Sequence, residues 1–421
     1  MGTEVREAAD GPKGARTEAR ELLGFDEARA RILAEVRPVA AERVPLAEAA
    51  GRVLAGDLVA RAPLPPFDNS AMDGYALALA DLPESGPFEL RVAGESSAGR
   101  EAPLLGRGIA CRIFTGAPVP ERADAVIMQE HVTRAGDAIR FEARPRPGQN
   151  VRRAGEDLAA DSVAVADRTR LTPGALALTA MLGLGELTVA RRPRVTILCT
   201  GDELRSPGDP ERPASIPESN SAGLAALARQ ANAAVRVAPI ARDEPRATLR
   251  AIEDALEGTD LLLTVGGVSV GDHDVVRPAL ERAGVRLDFW RVAIKPGKPL
   301  AFGRGPSASV LGLPGNPASA LVTFAVFGMP LLRAMQRDAH PLPLPLRVRM
   351  AAARKRSPDR LELARAALRL DGGMLVARAH DNQSSGAATS LAHSDGIAFV
   401  PAGEGDLEAG AFVDFVRWSD V

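Results

Sequence analysis

The chain of 421 residues has few of the side chains that mark several common protein classes. Its two cysteines, Cys111 and Cys199, exclude a disulfide framework and favour a reducing compartment, with the cytoplasm as the default. The net charge of −2 comes without a basic stripe, so we expect no nucleic-acid partner. No apolar run approaches the ~20 residues that a bilayer span needs, so we expect no membrane partner.

The first 20 residues are rich in Glu, Arg, Ala and Gly and lack the apolar core of a signal peptide. We therefore expect residues 1–20 to be a disordered N-terminus. The composition of the whole chain, 46% hydrophobic and 25% charged, is that of an ordinary globular protein. At about 150 residues per domain, the length predicts roughly three domains or more.

Lysine is also scarce, with four among the 52 basic residues. Two of the four, Lys295 and Lys298, lie three residues apart in Ile-Lys-Pro-Gly-Lys-Pro. A lysine presents a compact charge on a flexible stem, whereas arginine presents a planar fork. We interpret the pair as ammonium groups kept for an oxyanion, with chance as the alternative.

Hydrophobic periodicity divides the chain into modules. From Phe88 to Phe141 the period is near two with frequent Gly and Pro, which predicts a β-rich module. From Arg194, strands alternate with helices, which predicts a parallel sheet with helices on both faces. After Pro345, five short alternating strands predict a small β-barrel or sandwich: Leu346–Ala351, Arg360–Leu370, Met374–Ala379, Gly396–Val400 and Phe412–Trp418.

The stretch Asp260–Asp274 holds the strongest functional signal. A buried strand runs into a loop of small residues, Gly266, Gly267, Ser269 and Gly271, whose backbone N–H groups would suit an anion. The carboxylates of Asp272 and Asp274 would suit a metal. A tight βα turn with a capping Asp is the alternative.

In parallel sheets ligands bind outside the carboxyl ends of the strands. Several charged residues follow predicted strand ends and should therefore meet at one edge: Glu203, Asp243, Asp272, Asp274, Lys295 and Lys298. This topological convergence favours a site over a coincidence.

Polar side chains also collect in loops outside the α/β module. The stretch Pro66–Ala76 carries Asp68, Asn69, Ser70 and Asp73, and Thr115 follows a strand end. A polar connector holds Asp157, and Asp381-Asn-Gln-Ser-Ser-Gly lies between predicted barrel strands. A surface turn is the alternative for any one of these residues, but it explains less well why so many polar groups of Pro66–Ala76 lie between apolar residues. For the loop at Asp381, taken alone, a hairpin turn is the favoured interpretation.

Nine motifs occur in register and resemble one family. They are Pro66-Phe-Asp-Asn-Ser-Ala-Met-Asp-Gly-Tyr-Ala, Thr115-Gly-Ala-Pro, Gly155-Glu-Asp, Thr200-Gly-Asp-Glu-Leu, Ser219-Asn-Ser, Gly266-Gly-Val-Ser-Val-Gly, Ile294-Lys-Pro-Gly-Lys-Pro, Leu313-Pro-Gly-Asn-Pro and Gln383-Ser-Ser-Gly. From about Leu22 to its C-terminus the chain resembles the molybdopterin molybdenumtransferases, the MoeA family that includes the gephyrin E domain.

The resemblance implies a multidomain α/β and β fold in four parts. These are a discontinuous helical and β connecting domain at residues 21–62 and 145–190, a β-rich second domain at 63–144, a doubly wound molybdopterin-binding domain at 191–337, and a C-terminal β-barrel at 338–421. It also implies a homodimer whose active cleft is shared between subunits, and a possible transient contact with the molybdopterin adenylyltransferase.

The implied reaction takes adenylylated molybdopterin and molybdate, cleaves the pyrophosphate linkage with Mg²⁺ and releases AMP. The implied catalytic residues are Asp73, Thr115, Glu203, Asp243, Asp274, Lys295 and Lys298. The implied metal ligands are Glu203, Asp243 and Asp274. The implied substrate-binding residues are Asp157, Gly266, Gly267, Ser269, Gly271, Pro314, Gly315, Asn316, Arg365, Ser384 and Ser385.

Two other functions compete with this one. A molybdopterin adenylyltransferase would use the same doubly wound module, but the additional modules before Arg194 and after Pro341 argue against it. A non-catalytic scaffold of the gephyrin type is disfavoured, because nothing in the sequence resembles a fused adenylyltransferase domain or a long linker. Cys199 is interpreted as a packed core residue, with a thiol for sulfur-rich chemistry as the alternative.

Overall fold

The computed structural model describes residues 22–267 and 275–421. The predicted disordered segment 1–20 lies outside the described residues. The chain divides into two compact units, one formed by Ala41–Ala190 and the other by the described residues up to Ala40 together with Arg191–Val421. The four predicted domain boundaries stay a prediction.

Eight α-helices lie in the described residues, several of them starting at proline, whose missing N–H costs nothing at a first helical position. They are α1 (Phe25–Ala34), α2 (Pro173–Met181), α3 (Asn220–Gln230), α4 (Pro245–Leu256), α5 (Val276–Arg282), α6 (Pro317–Thr323), α7 (Met329–Met335) and α8 (Ala388–Ala392). At α2 the Thr172 hydroxyl accepts a hydrogen bond from Ala175 N at 3.2 Å and so caps the helix.

The unit Ala41–Ala190 contains twelve strands among its described residues. They are β1 (Ala41–Pro45), β2 (Leu58–Val59), β3 (Asn69–Ser70), β4 (Gly74–Leu77), β5 (Phe88–Ser96), β6 (Ile109–Ile113), β7 (Ala125–Met128), β8 (Thr133–Ala135), β9 (Ala138–Phe141), β10 (Val151–Arg152), β11 (Val163–Val165) and β12 (Glu186–Ala190). Six form a sheet in the order β7-β4-β6-β5-β9-β8, with Phe88 and Phe141 stacked in its core. Short ladders pair β1 with β12, β2 with β11 and β3 with β10, so the first and last thirds of the unit are joined.

The α/β part of the other unit is built on a six-stranded sheet. The strands of this part, six in the sheet and three short ones (β14, β15 and β19) outside it, are β13 (Arg194–Cys199), β14 (Leu204–Arg205), β15 (Ile216–Pro217), β16 (Ala234–Val237), β17 (Leu261–Val265), β18 (Arg286–Arg291), β19 (Ile294–Lys295), β20 (Pro299–Arg304) and β21 (Ser309–Leu313). The sheet order is β16-β13-β17-β21-β20-β18. Helices α4 and α5 cover one face through Ile252, Val276 and Leu280.

This sheet is mixed, which corrects the all-parallel sheet predicted from the sequence. Strands β16, β13, β17 and β21 are parallel, but β20 is antiparallel to both of its neighbours. The connection between β18 and β20 spans residues 292–298, which is too short for the crossover that a parallel pair requires. Because β18 and β21 both run antiparallel to β20, β18 ends at the same edge as the parallel strands, and this connection lies there.

Helices α6 and α7 are joined by a π-helical turn at Phe324–Gly328, so that Pro317–Met335 is one continuous helix. Pro330 has no N–H to donate within the helix, which accounts for the irregular turn before it. By length and composition this helix could cross a membrane, since one 18-residue window of it has a mean hydropathy of 1.6. That window is 83% buried inside the protein, which is the behaviour of a core helix.

The C-terminal strands close into a barrel. They are β22 (Leu346–Met350), β23 (Arg354–Lys355), β24 (Leu361–Asp371), β25 (Met374–Ala379), β26 (Gly396–Val400), β27 (Asp406–Leu407) and β28 (Phe412–Arg417). Five of them form the ring β24-β25-β22-β28-β26, which returns to β24, so the predicted five strands are confirmed and form a barrel. An odd number of strands forces one parallel neighbour pair, which is β22 with β25. Small residues such as Ala364 and Ala366 fill its interior.

Candidate functional site

Three strands of the α/β sheet end level with one another, and their loops touch. Cys199 pairs with Val265, and Val265 with Leu313, so Thr200, Gly266 and Pro314 follow at the same height. Gly266 and Gly267 have φ values of 90° and 61°, which favour glycine. A Cβ on Gly266 would lie 2.7 Å from Thr200 O, and one on Gly267 would lie 2.2 Å from Val276 Cγ2. The glycines are thus required for the loops to approach each other.

Acidic side chains gather at the β13 and β16 end of this edge. Glu203 and Asp243 were predicted, and Asp202, which the sequence analysis did not single out, joins them. Asp243 N donates to Asp202 Oδ1 at 3.4 Å, and the Glu203 carboxylate lies back over Gly201, where a Cβ would be 2.6 Å from Oε2. Burial raises the pKa of Asp243, and the nearby charges of Asp202 and Glu203 raise it further.

These three carboxylates are oxygen donors of the kind that Mg²⁺ prefers, and their mutual repulsion would be relieved by a cation. Within the described ranges, no three such groups are placed closely enough to hold a metal ion as they stand. The third predicted ligand, Asp274, lies outside the described residues, as do Ser269, Gly271 and Asp272. The predicted metal set therefore stays a prediction.

The two lysines lie in the connection between β18 and β20, at the opposite end of the same edge. Lys295 belongs to a short strand, β19, which pairs with the barrel strand β24 in the register Lys295 to Glu362. Its Nζ lies 3.5 Å from Glu362 Oε1. Lys298 is exposed. The barrel therefore holds one of the predicted lysines, which the strand pattern around residue 295 did not show.

Sheet geometry sets the distance between the acidic and basic ends. Four strand spacings separate β13 from β18, and adjacent strands lie ~4.8 Å apart, so the two ends are about 19 Å from each other. The glycine loops after β17 and β21 lie between them. A ligand that touches both ends must therefore be extended.

The predicted C-terminal loop contacts the loop after β21. Asn316 Nδ2 donates to Ser385 Oγ at 2.9 Å, and Ala318 N donates to Ser385 O at 3.0 Å. The Arg365 guanidinium donates to Ser384 O at 3.0 Å through Nη2. The structure thus brings together four residues that were predicted to bind substrate and that come from two distant stretches of the chain.

Arg365 is fully buried, and its Nη1 has no hydrogen-bond partner among the described residues. Its Nε donates to Ser390 Oγ at 2.9 Å. Burial, opposed by the charge of Glu362 and reinforced by that of Arg354, lowers the pKa of Arg365 to about 10. A buried guanidinium with a free N–H edge is a strong attractant for an oxyanion.

Two buried residues at the start of α3 also support this edge, and the sequence analysis did not select them. Glu218 Oε1 accepts hydrogen bonds from Asn220 N at 2.6 Å and Ser221 N at 2.9 Å. Asn220 Nδ2 in turn donates to Gly315 O at 2.7 Å. The motif Ser219-Asn-Ser, one of the nine that carry the resemblance, was the available signal.

In the unit Ala41–Ala190 the structure brings two predicted residues together. Asp73 Oδ1 accepts hydrogen bonds from Thr115 N and Thr115 Oγ1, both at 2.8 Å. These bonds, the backbone one first, hold the pKa of Asp73 below its usual value. Asp157 is exposed on the segment that follows β10.

Asp68 has a structural role in the same unit. Its carboxylate accepts hydrogen bonds from Arg153 Nη1 at 2.6 Å and Ala154 N at 2.8 Å. It therefore ties the loop before β3 to the segment that leads to Asp157. The Asn69 and Ser70 side chains are buried and donate to backbone carbonyls nearby, so they are not part of an exposed turn.

Cys199 is 3% exposed, and burial, followed by the charge of Glu218, raises its pKa well above the usual range. A thiol held in its neutral form is a poor nucleophile and a poor metal ligand. The interpretation of Cys199 as a packed core residue is confirmed.

The chain was compared with known families and structures. Family models match it at residues 23–183 (MoeA N-terminal region, domains I and II), 196–334 (probable molybdopterin binding domain) and 347–418 (MoeA C-terminal region, domain IV).

Curated relatives are named molybdopterin molybdenumtransferase. The one from Synechococcus elongatus is 39% identical over 407 residues, covering 93% of this chain and 99% of its own. The one from Haemophilus influenzae is 42% identical over 321 residues, covering 75% and 78%. A crystal structure described as the molybdopterin biosynthesis moeA protein of Pyrococcus horikoshii OT3 has a TM-score of 0.82 at 29% identity and covers 94% of this chain and 100% of its own. With three family regions in order and relatives similar over nearly its whole length, the chain belongs to the MoeA family of molybdopterin molybdenumtransferases.

Proposed function

We propose that this protein is an enzyme of molybdenum cofactor biosynthesis that inserts molybdenum from molybdate into adenylylated molybdopterin and releases AMP. The observation that carries the proposal is the edge of the α/β sheet, where glycine loops lie between a carboxylate cluster and a cluster of excess positive charge. Each feature matches one part of the substrates.

The positive end suits molybdate. Lys295, Arg354 and Arg365 carry three positive charges, and the one carboxylate among them is Glu362, so two positive charges remain in excess. Molybdate is a tetrahedral dianion, which two excess charges would neutralise. Lys298 is exposed and follows Lys295 by three residues, so it would add a further ammonium group at this end.

The acidic end suits Mg²⁺, which binds one or a few carboxylates and keeps several waters. We propose that Glu203 and Asp243 hold the ion, with Asp202 beside them and Asp274 completing the set. When bound, the ion would supply the charge neutralisation that cleavage of a pyrophosphate linkage needs. The raised pKa of Asp243 fits this role, because a cation replaces the repulsion between carboxylates with attraction.

The span of the edge suits an extended substrate. A pterin joined through a diphosphate to adenosine is elongated, and its phosphates would lie against the loops of Gly266, Gly267 and Gly315. Pro314, Asn316, Ser384 and Ser385 border these loops. The Asn316–Ser385 hydrogen bond keeps that border in one arrangement.

The remaining predicted residues, Asp73, Thr115 and Asp157, belong to the unit Ala41–Ala190. We propose that the protein is a homodimer and that this unit of one subunit completes the cleft of the other. Asp73, ionised because Thr115 stabilises its charged form, would position the metal or the attacking water. We further propose a cytoplasmic location, in keeping with two free buried cysteines, and a transient contact with the adenylyltransferase that supplies the substrate.

The test is to incubate the purified protein with adenylylated molybdopterin, molybdate and Mg²⁺ and to measure AMP. Release of AMP that requires molybdate supports the proposal. Formation of the AMP ester from molybdopterin and ATP would favour the adenylyltransferase alternative. Retained oligomerisation with neither activity would favour a scaffold.

A further inference from the structure

A buried carboxylate of the C-terminal barrel contacts a lysine of the α/β module. Strand β19 adds to β24 with Lys295 opposite Glu362, and Leu361 N donates to Ala293 O at 3.0 Å. The Glu362 side chain is 4% exposed, whereas that of Lys295 is 49% exposed. The carboxylate is therefore fixed in the protein, and the ammonium group reaches from it towards the open edge.

The same carboxylate is held by an arginine. Arg354 donates to both oxygens of Glu362, from Nε to Oε2 at 2.8 Å and from Nη2 to Oε1 at 2.7 Å. This paired arrangement fixes the orientation of the carboxylate, because the guanidinium fork is planar. Lys295 lies 3.5 Å from Oε1, the oxygen that it shares with Arg354.

Charge counting explains why two cations attend one carboxylate. A pair of Glu362 with Lys295 alone would be neutral, and the ammonium would have little charge left for another anion. With Arg354 on the same carboxylate, the three groups together keep one positive charge. Burial raises the pKa of Glu362, but the bonds and charge of Arg354, then those of Lys295, outweigh this and hold it below its usual value.

A free lysine side chain has four rotatable bonds, and fixing its tip costs conformational entropy. A fixed counter-ion restricts the tip before any substrate arrives. We propose that Glu362 is a positioning residue that holds the Lys295 ammonium group for an oxyanion, and that Arg354 keeps the carboxylate from neutralising it. The inference rests on the proposed function only for the identity of that anion, molybdate.

The first test measures the position of the ammonium group directly. The chain has four lysines, so reductive ¹³C-dimethylation, which preserves the charge, gives a resolvable set of methyl signals. Lys295→Arg assigns one of them. We expect methyl relaxation to show a more restricted Lys295 than Lys298 in the native protein and equal mobility of the two in Glu362→Gln. Equal mobility in the native protein, or no change in Glu362→Gln, would overturn the inference.

The second test uses the sign of an electrostatic effect. Glu362→Gln makes the site more positive, so charge alone predicts tighter binding of molybdate in calorimetric titration. Loss of positioning predicts the opposite, and we expect binding about tenfold weaker. Tighter or unchanged binding contradicts the proposal. Arg354→Gln should also weaken binding, because Lys295 then pairs with an otherwise uncompensated carboxylate.

Asp414→Asn is the matched control. It removes one negative charge from the same barrel, where Asp414 pairs with Arg347 at 2.9 Å, and it has no contact with Lys295. We expect its Lys295 signal and its molybdate affinity to equal those of the native protein. Thermal melting identifies a Glu362→Gln protein that has lost its fold, and Glu362→Asp then serves, because it keeps the charge but withdraws it from Lys295.

Failure of the inference can be told from failure of the proposed function. If the native protein releases no AMP, the proposed function fails, and the mobility of Lys295 still decides whether Glu362 positions it. If AMP is released but Glu362→Gln leaves Lys295 restricted, the function stands and the inference falls.

Discussion

Asp73 and Thr115 are joined by two hydrogen bonds to a single carboxylate oxygen, one from the backbone N–H and one from the hydroxyl, both 2.8 Å long. The two residues are separated by 42 positions in the chain. Because β4, which begins at Gly74, pairs with β6, the strand ends that carry them meet. The second oxygen of Asp73 receives no bond from Thr115.

We expect Asp73→Asn to reduce AMP release by at least about 100-fold, since a neutral amide cannot position a metal or a water as a carboxylate does. Pterin binding, measured by fluorescence titration, should change by less than about threefold. Thr115→Val keeps the backbone bond and removes the hydroxyl bond, so its loss of activity should be smaller. Undiminished turnover of Asp73→Asn would remove this residue from the mechanism.

Asp202 and Asp243 predict a pH effect. The pKa of Asp243 is raised by burial and then by the charges of Asp202 and Glu203, so Asp243 becomes ionised only at a higher pH than an ordinary carboxyl group. We expect Asp202→Asn to remove one repulsion and so to lower the pKa of Asp243. If activity requires the ionised form of Asp243, the acidic limb of the pH profile of kcat/KM then moves to lower pH.

The control for this profile is Glu257→Gln, which removes one charge at the other end of α4. Its acidic limb should coincide with that of the native protein. An acidic limb that stays in place in Asp202→Asn would show that Asp243 does not set it.

Asp260 predicts a pH-dependent contribution to stability. Burial raises its pKa, but hydrogen bonds from Arg191 and Arg194 outweigh this and leave the pKa below its usual value. Arg191 holds both carboxylate oxygens at 2.7 Å, and Arg194 N donates at 2.7 Å. A carboxyl group whose pKa is lower in the folded state than in the unfolded state stabilises the folded state at pH values above the unfolded-state pKa. This stabilisation is lost as the pH falls through the folded-state pKa.

We therefore expect Asp260→Asn to lower the free energy of unfolding by about 2 kcal/mol at pH 7. The difference from the native protein should shrink below pH ~4 as the native Asp260 becomes protonated. Urea unfolding followed by circular dichroism, at neutral pH and at the acidic pH, measures this difference in the free energy of unfolding. A difference that is independent of pH would mean that charge is not the cause.

Gly267 predicts a steric effect at the loop after β17. Its φ of 61° and the 2.2 Å approach of a Cβ to Val276 Cγ2 both oppose a side chain. We expect Gly267→Ala to lower the melting temperature and to cost about 1–3 kcal/mol, from the left-handed backbone and the displaced valine. Gly185→Ala, where a Cβ would meet nothing within 4 Å, should be close to neutral.

The strands of the barrel could be predicted from the sequence pattern. Its five strands alternate apolar and polar residues, and their predicted and observed bounds agree within one residue, as at Met374–Ala379 and Gly396–Val400. The sequence left a barrel and a sandwich open, because closure depends on the pairing of β24 with β26, which no local pattern encodes.

The sequence pattern did not identify every residue of the candidate site. Glu203 and Asp243 follow strand ends and could be named from their positions, but Asp202 is adjacent to Glu203 in the chain and looked no different from a turn residue. Glu362 and Arg354 lie in what the sequence presents as ordinary alternating strands. Their importance follows from the pairing of β19 with the barrel.

The order of strands and helices, the glycine loops and the family were determined by the sequence alone, because hydrophobic period, turn residues and spaced motifs are local properties of the chain. The tertiary structure alone decided that β20 reverses the sheet, that Ser385 bonds to Asn316, and that Glu362 meets Lys295. These are contacts between residues distant in sequence, and their geometry exists only when the strands have paired.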